Sequence, residues 1–329
     1  MKKKQSNEQF KTMIGGQALI EGIMMRGPQK DAVVVRTKDG LNIDVKPRKV
    51  RKNGPLTWPL LRGIVGFFDS QVTGIKALMR SADFSPEMGG EEPSKFDAWL
   101  EKKLGNKRFQ NFVVGTAVAM GLGMSILLFF LIPMIIGSFF DKIVNSTLLQ
   151  NLIEGAVRII IFVIYILLAS CMNEMKRVFS YHGAEHKTIA CYEAGMELTV
   201  ENVKICSRLH PRCGTSFLLV VMILSILIFS VASSALLALM PALVAISGTA
   251  IYRIVMIAFK LLLLPVVVAF SYELNRWVGR HDNLLTKILR APGLWFQRFT
   301  TNEPDDQMIE VGIAAVQAVL PEQMGDDLW

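Results

Sequence analysis

The chain has 329 residues, 51% hydrophobic and 19% charged, with a formal net charge of +8. That balance is too apolar for an ordinary soluble domain of this length. The four cysteines, Cys171, Cys191, Cys206 and Cys213, contain no C-x-x-C pair, which argues against a four-thiolate zinc site.

Residues 1–10 are basic and polar, and no apolar core of a secretory signal follows them, so the N-terminal region is expected to stay on the side of synthesis. Gly15-Gly-Gln-Ala-Leu-Ile-Glu-Gly-Ile-Met-Met-Arg-Gly-Pro28 packs its glycines around Glu21 and Arg26, which reads as a compact loop of tight turns pressed against another surface. The β-branched runs 31–36 and 41–45, parted by Lys38-Asp39-Gly40, predict a hairpin. Residues 1–56 are therefore taken as a small β-rich cytoplasmic unit. The basic run 46–52 suits a lipid-facing edge or an RNA-phosphate contact, the first being preferred because no aromatic residues interleave it.

Residues 57–110 are expected to hold interfacial helices and a linker. Leu61, Ile64, Val65, Phe68, Val72, Ile75 and Leu78 recur at helical spacing, predicting an amphipathic helix over 60–79 lying on a bilayer. A linker over 81–93 and a second amphipathic helix over 95–104 follow.

Four apolar runs, 112–140, 152–172, 216–240 and 250–272, reach or approach the ~20 residues that cross ~30 Å of hydrocarbon. Residues 111–172 and 216–273 are thus expected to be two pairs of transmembrane helices. Of the lysines and arginines, 21 precede the first span, six lie between the second and third, and five follow the fourth. The other two connections carry one and none. The positive-inside rule then puts both termini and the central loop, 173–215, in the cytoplasm of a multi-pass inner-membrane protein. Glu154 and Arg158 within the second run are one helical turn apart and suited to pair, whereas Arg253 and Lys260 share a face of the fourth and could line a path for an anion or lipid headgroup.

The central loop holds three of the four histidines. Tyr181-His182-Gly-Ala-Glu185-His186-Lys-Thr-Ile-Ala-Cys-Tyr-Glu193 reads as a continuation of the second span, stopped by Gly195. His182 and His186 then face one side, with Glu185 beside them as a base, in the H-x-x-E-H order of inverted zinc peptidases. A third ligand is needed. His210 is favoured, with Cys213, Glu303 and Glu193 in reserve. Cys213 as a nucleophile activated by His210 and Arg212 is the competing chemistry. In the C-terminal segment, 274–329, a short helix over 281–290 stopped at Pro292, an interfacial Trp295–Phe296 pair and a final helix starting at Thr301 or Asn302 are expected.

Together with His210-Pro-Arg-Cys-Gly-Thr-Ser-Phe217 and Thr300-Thr-Asn-Glu-Pro-Asp-Asp306, the Gly-rich and His/Glu motifs resemble those of the YqhQ family of bacterial membrane proteins, over nearly the whole chain. The resemblance implies a metal-dependent enzyme and points to His182, Glu185, His186, His210 and Cys213, with Glu21, Arg26 and Glu303 besides. The expectation is an α-helical integral membrane protein of four transmembrane helices with the four motifs gathered into one cytoplasmic site. In the enzymatic reading, His182, His186 and His210 hold zinc, Glu185 is the base, and Arg26 or Arg212 steadies the oxyanion of a peptide or lipid-linked substrate. In the alternative reading the platform is a non-catalytic biogenesis factor that binds the translocation machinery or the ribosome.

Overall fold

The computed structural model describes residues 10–48, 54–84, 105–140, 143–144, 146–323 and 326–328. The expected helix over 95–104, most of the 81–93 linker and the basic residues 49–52 fall outside them. The chain divides into two compact units, Met1–Pro86 with Ile166–Val220 and Val268–Trp329, and Glu87–Tyr165 with Val221–Val267.

The first unit is built on a four-stranded antiparallel meander: β1 (Gly15–Leu19), β2 (Gly22–Arg26), β3 (Lys30–Thr37) and β4 (Gly40–Pro47). The expected hairpin is β3–β4, turning at Lys38–Asp39 with Gly40 at φ +124°. The Gly-rich motif, read as a loop, is a second hairpin instead, because the flanking Ile23, Met24 and Met25 supply the alternating apolar faces that glycine lacks. Ile23 and Met25 pair with Val34 and Ala32 and face one side; Met24 pairs with Val33 and faces the other.

Helix α1 (Leu61–Phe84) covers the Met24 face through Ala77. On the opposite face the core continues into two later helices through Tyr181, Ala184, Ile189, Val311, Ala315 and Val316. It is the small residues of α1, Gly63, Gly74, Ala77 and Ser81, that are buried, while Leu61, Phe68, Val72, Ile75 and Leu78 stay exposed.

Four helices are long and apolar enough to cross a membrane: Phe112–Ser138, Leu148–Cys171, Gly214–Leu239 and Ala250–Arg280. The first comprises α2 (Asn106–Ile126), a π-turn (Leu127–Leu131) and α3 (Ile132–Ser138). The second run is α4 (Thr147–Cys171). It does not continue into the histidine segment, since Met172 adopts an extended ψ of 137° and a separate helix, α5 (Asn173–Glu193), begins there. Gly195 ends that segment at φ +68°, as its position after the last apolar residues predicts. A short helix, α6 (Val200–Lys204), leads to α7 (Gly214–Leu239), α8 (Pro241–Ala245) and α9 (Ala250–Arg280).

The C-terminal segment departs most from expectation. Helix α10 (Leu284–Thr300), started by an Asn283–Thr286 capping box, runs through Pro292 rather than stopping there. Its neighbour explains why: Gly293 lies so close to Ser216 that a Cβ would fall 2.6 Å from its Oγ, and this packing outweighs the missing proline N–H. Phe296 is buried instead of joining Trp295 at the surface. The last helix, α11 (Asp306–Val319), starts later than expected, capped by Asp305 Oδ1 on the Met308 N–H at 2.8 Å. Residues 301–305 run without helix alongside α5.

In the second unit a buried ion triad sits among apolar helices. Glu154 accepts from Arg158 at 2.9 Å and from Lys260 at 2.6 Å, the first being the pair expected from spacing. Pro133, having no N–H, leaves the Phe129 carbonyl without its helical donor, and Arg158 Nε donates to it at 2.7 Å. The Arg158 guanidinium also lies over the rings of Phe130 and Phe229, 5.4 and 5.7 Å from their centroids.

Candidate metal centre

All four sequence motifs meet in the first unit. One turn apart on α5, His182 and His186 bring their ring centroids within 4.4 Å. Their free nitrogens converge with the sulfur of Cys213, the last residue before α7, so that one ligand atom from each lies within 4.8 Å of the others. His182 Nδ1 is 2.8 Å from the Thr300 carbonyl, and His186 Nδ1 is 2.6 Å from that of Arg208. A carbonyl only accepts, so each Nδ1 carries a hydrogen and each Nε2 is left to face inward, toward the sulfur. Outer-sphere carbonyls commonly hold metal-ligating histidines in this way.

His182 Nε2 stands 3.2 Å from Cys213 Sγ. His186 Nε2 is buried with no hydrogen-bond partner. Burial alone would raise the Cys213 thiol, but the His186 and His182 rings outweigh it and hold the group well below its ordinary value. The reverse holds for His182: burial acts to lower it, and the facing sulfur offsets this and brings it to about 9.

Glu185, on the same turn of α5, is buried. Oε1 accepts the Gly16 N–H at 3.0 Å, while Oε2 is buried without a partner. Burial pushes its carboxyl up, against the pull of both histidines. Glycine is required at position 16 by this approach: a Cβ there would lie 2.7 Å from the Met24 carbonyl and 2.9 Å from Glu185 Cδ. Gly183 does the same for the C-terminal motif, where a Cβ would meet the Asn302 carbonyl.

Glu185, His186 and Cys213 line a cavity of about 250 Å³ together with Arg26, Arg48 and Arg212. Arg26 is engaged by Asp31 at 3.3 Å and Asp69 at 2.8 Å. Arg212 pairs with Glu193. Arg48 donates to the Gly27 carbonyl at 3.0 Å and has no carboxylate partner among the described residues. It belongs to the basic run read from sequence as a membrane- or RNA-facing edge, and its inward position is set by β4.

The third member of the cluster is Cys213, not the favoured His210. The His210 ring is turned to Glu193 at 3.4 Å, and burial lowers its basicity. Its backbone explains the orientation: His210 N–H and C=O are both held by the Gln297 side-chain amide, at 2.8 and 2.7 Å, and the same amide reaches Ser216 Oγ at 2.8 Å. The two remaining reserves stand elsewhere. Glu303 pairs with Lys187 and Arg208, and Glu193 with Arg212 and the Thr12 N–H. Gln297 was not picked out from sequence, although a glutamine between Phe296 and the buried end of an amphipathic helix is the signal that could have found it.

Residues 58–322 match the family model described as "Protein of unknown function (DUF1385)". The chain belongs to this family. It is 33% identical over 312 residues, 93% of its own length and 92% of the relative's, to "Uncharacterized protein YqhQ" of Bacillus subtilis (strain 168). No solved structure matches it.

Proposed function

We propose that the chain is a membrane-embedded, metal-dependent hydrolase whose site faces the cytoplasm. One observation carries the reading: two histidines with carbonyl-locked Nδ1 atoms and a thiol of lowered basicity converge beside a carboxylate that keeps one oxygen unpaired in a cavity. The donor set fits a divalent ion such as zinc, because two imidazoles and a thiolate are three protein ligands and leave a fourth position open. Such an ion, when bound, supplies Lewis acidity that polarises an acyl or phosphoryl oxygen and lowers the pKa of water.

The chain's own groups supply the rest. Glu185 Oε2 accepts the proton of the attacking water while Oε1 stays anchored on Gly16. Arg48, with no carboxylate partner among the described residues, steadies the negative charge that develops on the substrate, a role first given to Arg26 or Arg212. An excess of guanidinium in the cavity favours an anionic peptide or lipid-linked substrate. The exposed apolar stripe of α1 supports delivery from the bilayer surface. This helix is tied to the polar end of α9 by the Arg62–Glu273 pair and by Gly63 against Tyr272, which suits a helix lying at the membrane interface.

Metal analysis of the purified full-length protein tests the reading. It should give one ion per chain, lost in His186→Ala, while Glu185→Gln retains the ion and loses function in vivo. A Glu185→Gln variant with full function and retained metal would instead favour the non-catalytic scaffold, in which the cluster only clasps α5 to the 208–213 turn and to residues 300–303. A folded protein without metal sinks the enzymatic reading.

A further inference from the structure

The metal centre makes no use of the buried charges in the second unit. Glu154 is the sole acidic residue among that unit's described residues, and three cations, Arg158, Arg253 and Lys260, are grouped around or near it. Of these three charges, two exceed the one carboxylate among the described residues. Lys260 is 3% exposed and Arg158 6%, among helices otherwise apolar. Cations held there without compensation are costly, and the usual solution is a counter-charge.

The space for one exists. A cavity of about 100 Å³ lies near the span ends joined by residues 139–146 and 240–249, and Glu154, Lys260, Arg253 and Ser233 line it. Lys260 donates one of its three N–H groups to Glu154. Arg253 has no carboxylate partner among the described residues. Ser233 is fully buried, and its hydroxyl has no hydrogen-bond partner. A hydroxyl left unpaired in an apolar bundle is costly, and this one lines the cavity that the cations share.

We propose that this cavity is a binding site for a phosphate-class anion, held by Arg253 and Lys260 and by the Ser233 hydroxyl. A free phosphate and the headgroup of an anionic phospholipid present the same chemistry, three or more acceptor oxygens on a negative centre, and the test separates them. Full-length protein in neutral detergent is heated with inorganic phosphate, against chloride at equal ionic strength. In parallel it is reconstituted with phosphatidylglycerol or with phosphatidylcholine, and the lipid retained after repurification is weighed by native mass spectrometry.

Stabilisation by phosphate that weakens about tenfold or more in Arg253→Gln assigns the site to a free anion. Selective retention of phosphatidylglycerol that is lost in Arg253→Gln assigns it to a headgroup. Ser233→Ala, which removes one oxygen and no charge, should weaken either response and serves as the readout if Arg253→Gln does not fold. His186→Ala should leave both responses unchanged, so the result is independent of the metal centre. Absence of both responses, or responses indifferent to Arg253→Gln and Ser233→Ala, overturns the proposal.

Discussion

Glu21 sits at the tip of the β1–β2 turn with φ +50°, a backbone conformation that side chains other than glycine, asparagine and aspartate seldom adopt. What holds it there is its carboxylate, which takes both Arg177 N–H groups at 2.5 Å and the Tyr181 hydroxyl at 3.1 Å, fastening the hairpin to α5 one residue before His182. Burial acts to raise this carboxyl, but Arg177 and Tyr181 outweigh it and hold the group below its ordinary value of 4.5. A carboxyl lowered by folding contributes stability that is fully present above the unfolded-state value and is lost as pH falls through the folded one. Thermal unfolding of the purified protein should therefore weaken from about pH 5 downward, and Glu21→Gln should unfold earlier at pH 7 with a flatter acid limb. An unchanged acid limb in Glu21→Gln would remove this contact from the account. The resemblance marked Glu21 in the sequence, but its partners could not be read there, because Arg177 lies 156 residues away and only the packed fold brings it near.

Elements were legible where one periodicity dominates. The four apolar runs and the β3–β4 alternation each carry a repeated signal over many residues, and they form where the sequence puts them. Pro292 and the 301–305 stretch were misread because tertiary contacts decide them: Gly293 on Ser216 carries α10 past its proline, and Asn302 N–H on the Phe179 carbonyl holds the next segment extended. The histidine pair was legible for the same reason as the helices, since an i, i+4 spacing on α5 is local. The third donor was not, because the choice between His210 and Cys213 is made by a side chain on α10. Gln297 fills both backbone bonds of His210 and thereby fixes the turn that aims Cys213 inward. Replacing Gln297 by Leu keeps the volume and orphans three polar groups, a loss on the order of 3 kcal/mol. The expected outcome is a lower unfolding temperature together with reduced metal content, although residue 297 is no ligand. Stability lost with full metal retained would mean that the turn holds its shape unaided.

At the scale of the whole molecule, the centre is assembled from segments that lie far apart along the chain: His182 meets Thr300 across 118 residues and Thr12 meets Asp327 across 315. These segments flank the four apolar helices on the outside and in the middle, so an even number of crossings is required to return them to one side of a membrane. Charge supports the proposed side. The connections at 139–146 and 240–249 carry one lysine between them, against 32 lysines and arginines in the remaining segments outside the spans, and by the positive-inside rule such an asymmetry favours the cytoplasm for the richer segments. A reducing compartment also suits the thiolate role proposed for Cys213. A fluorescent protein fused after residue 329 should therefore light up in cells, and alkaline phosphatase inserted at 143–144 should be active while the same enzyme inserted at 197–199 is silent. The opposite pattern would place the histidine cluster outside the cell. A reduced thiolate ligand and a cytoplasmic substrate would then both be untenable, even if the metal itself were found.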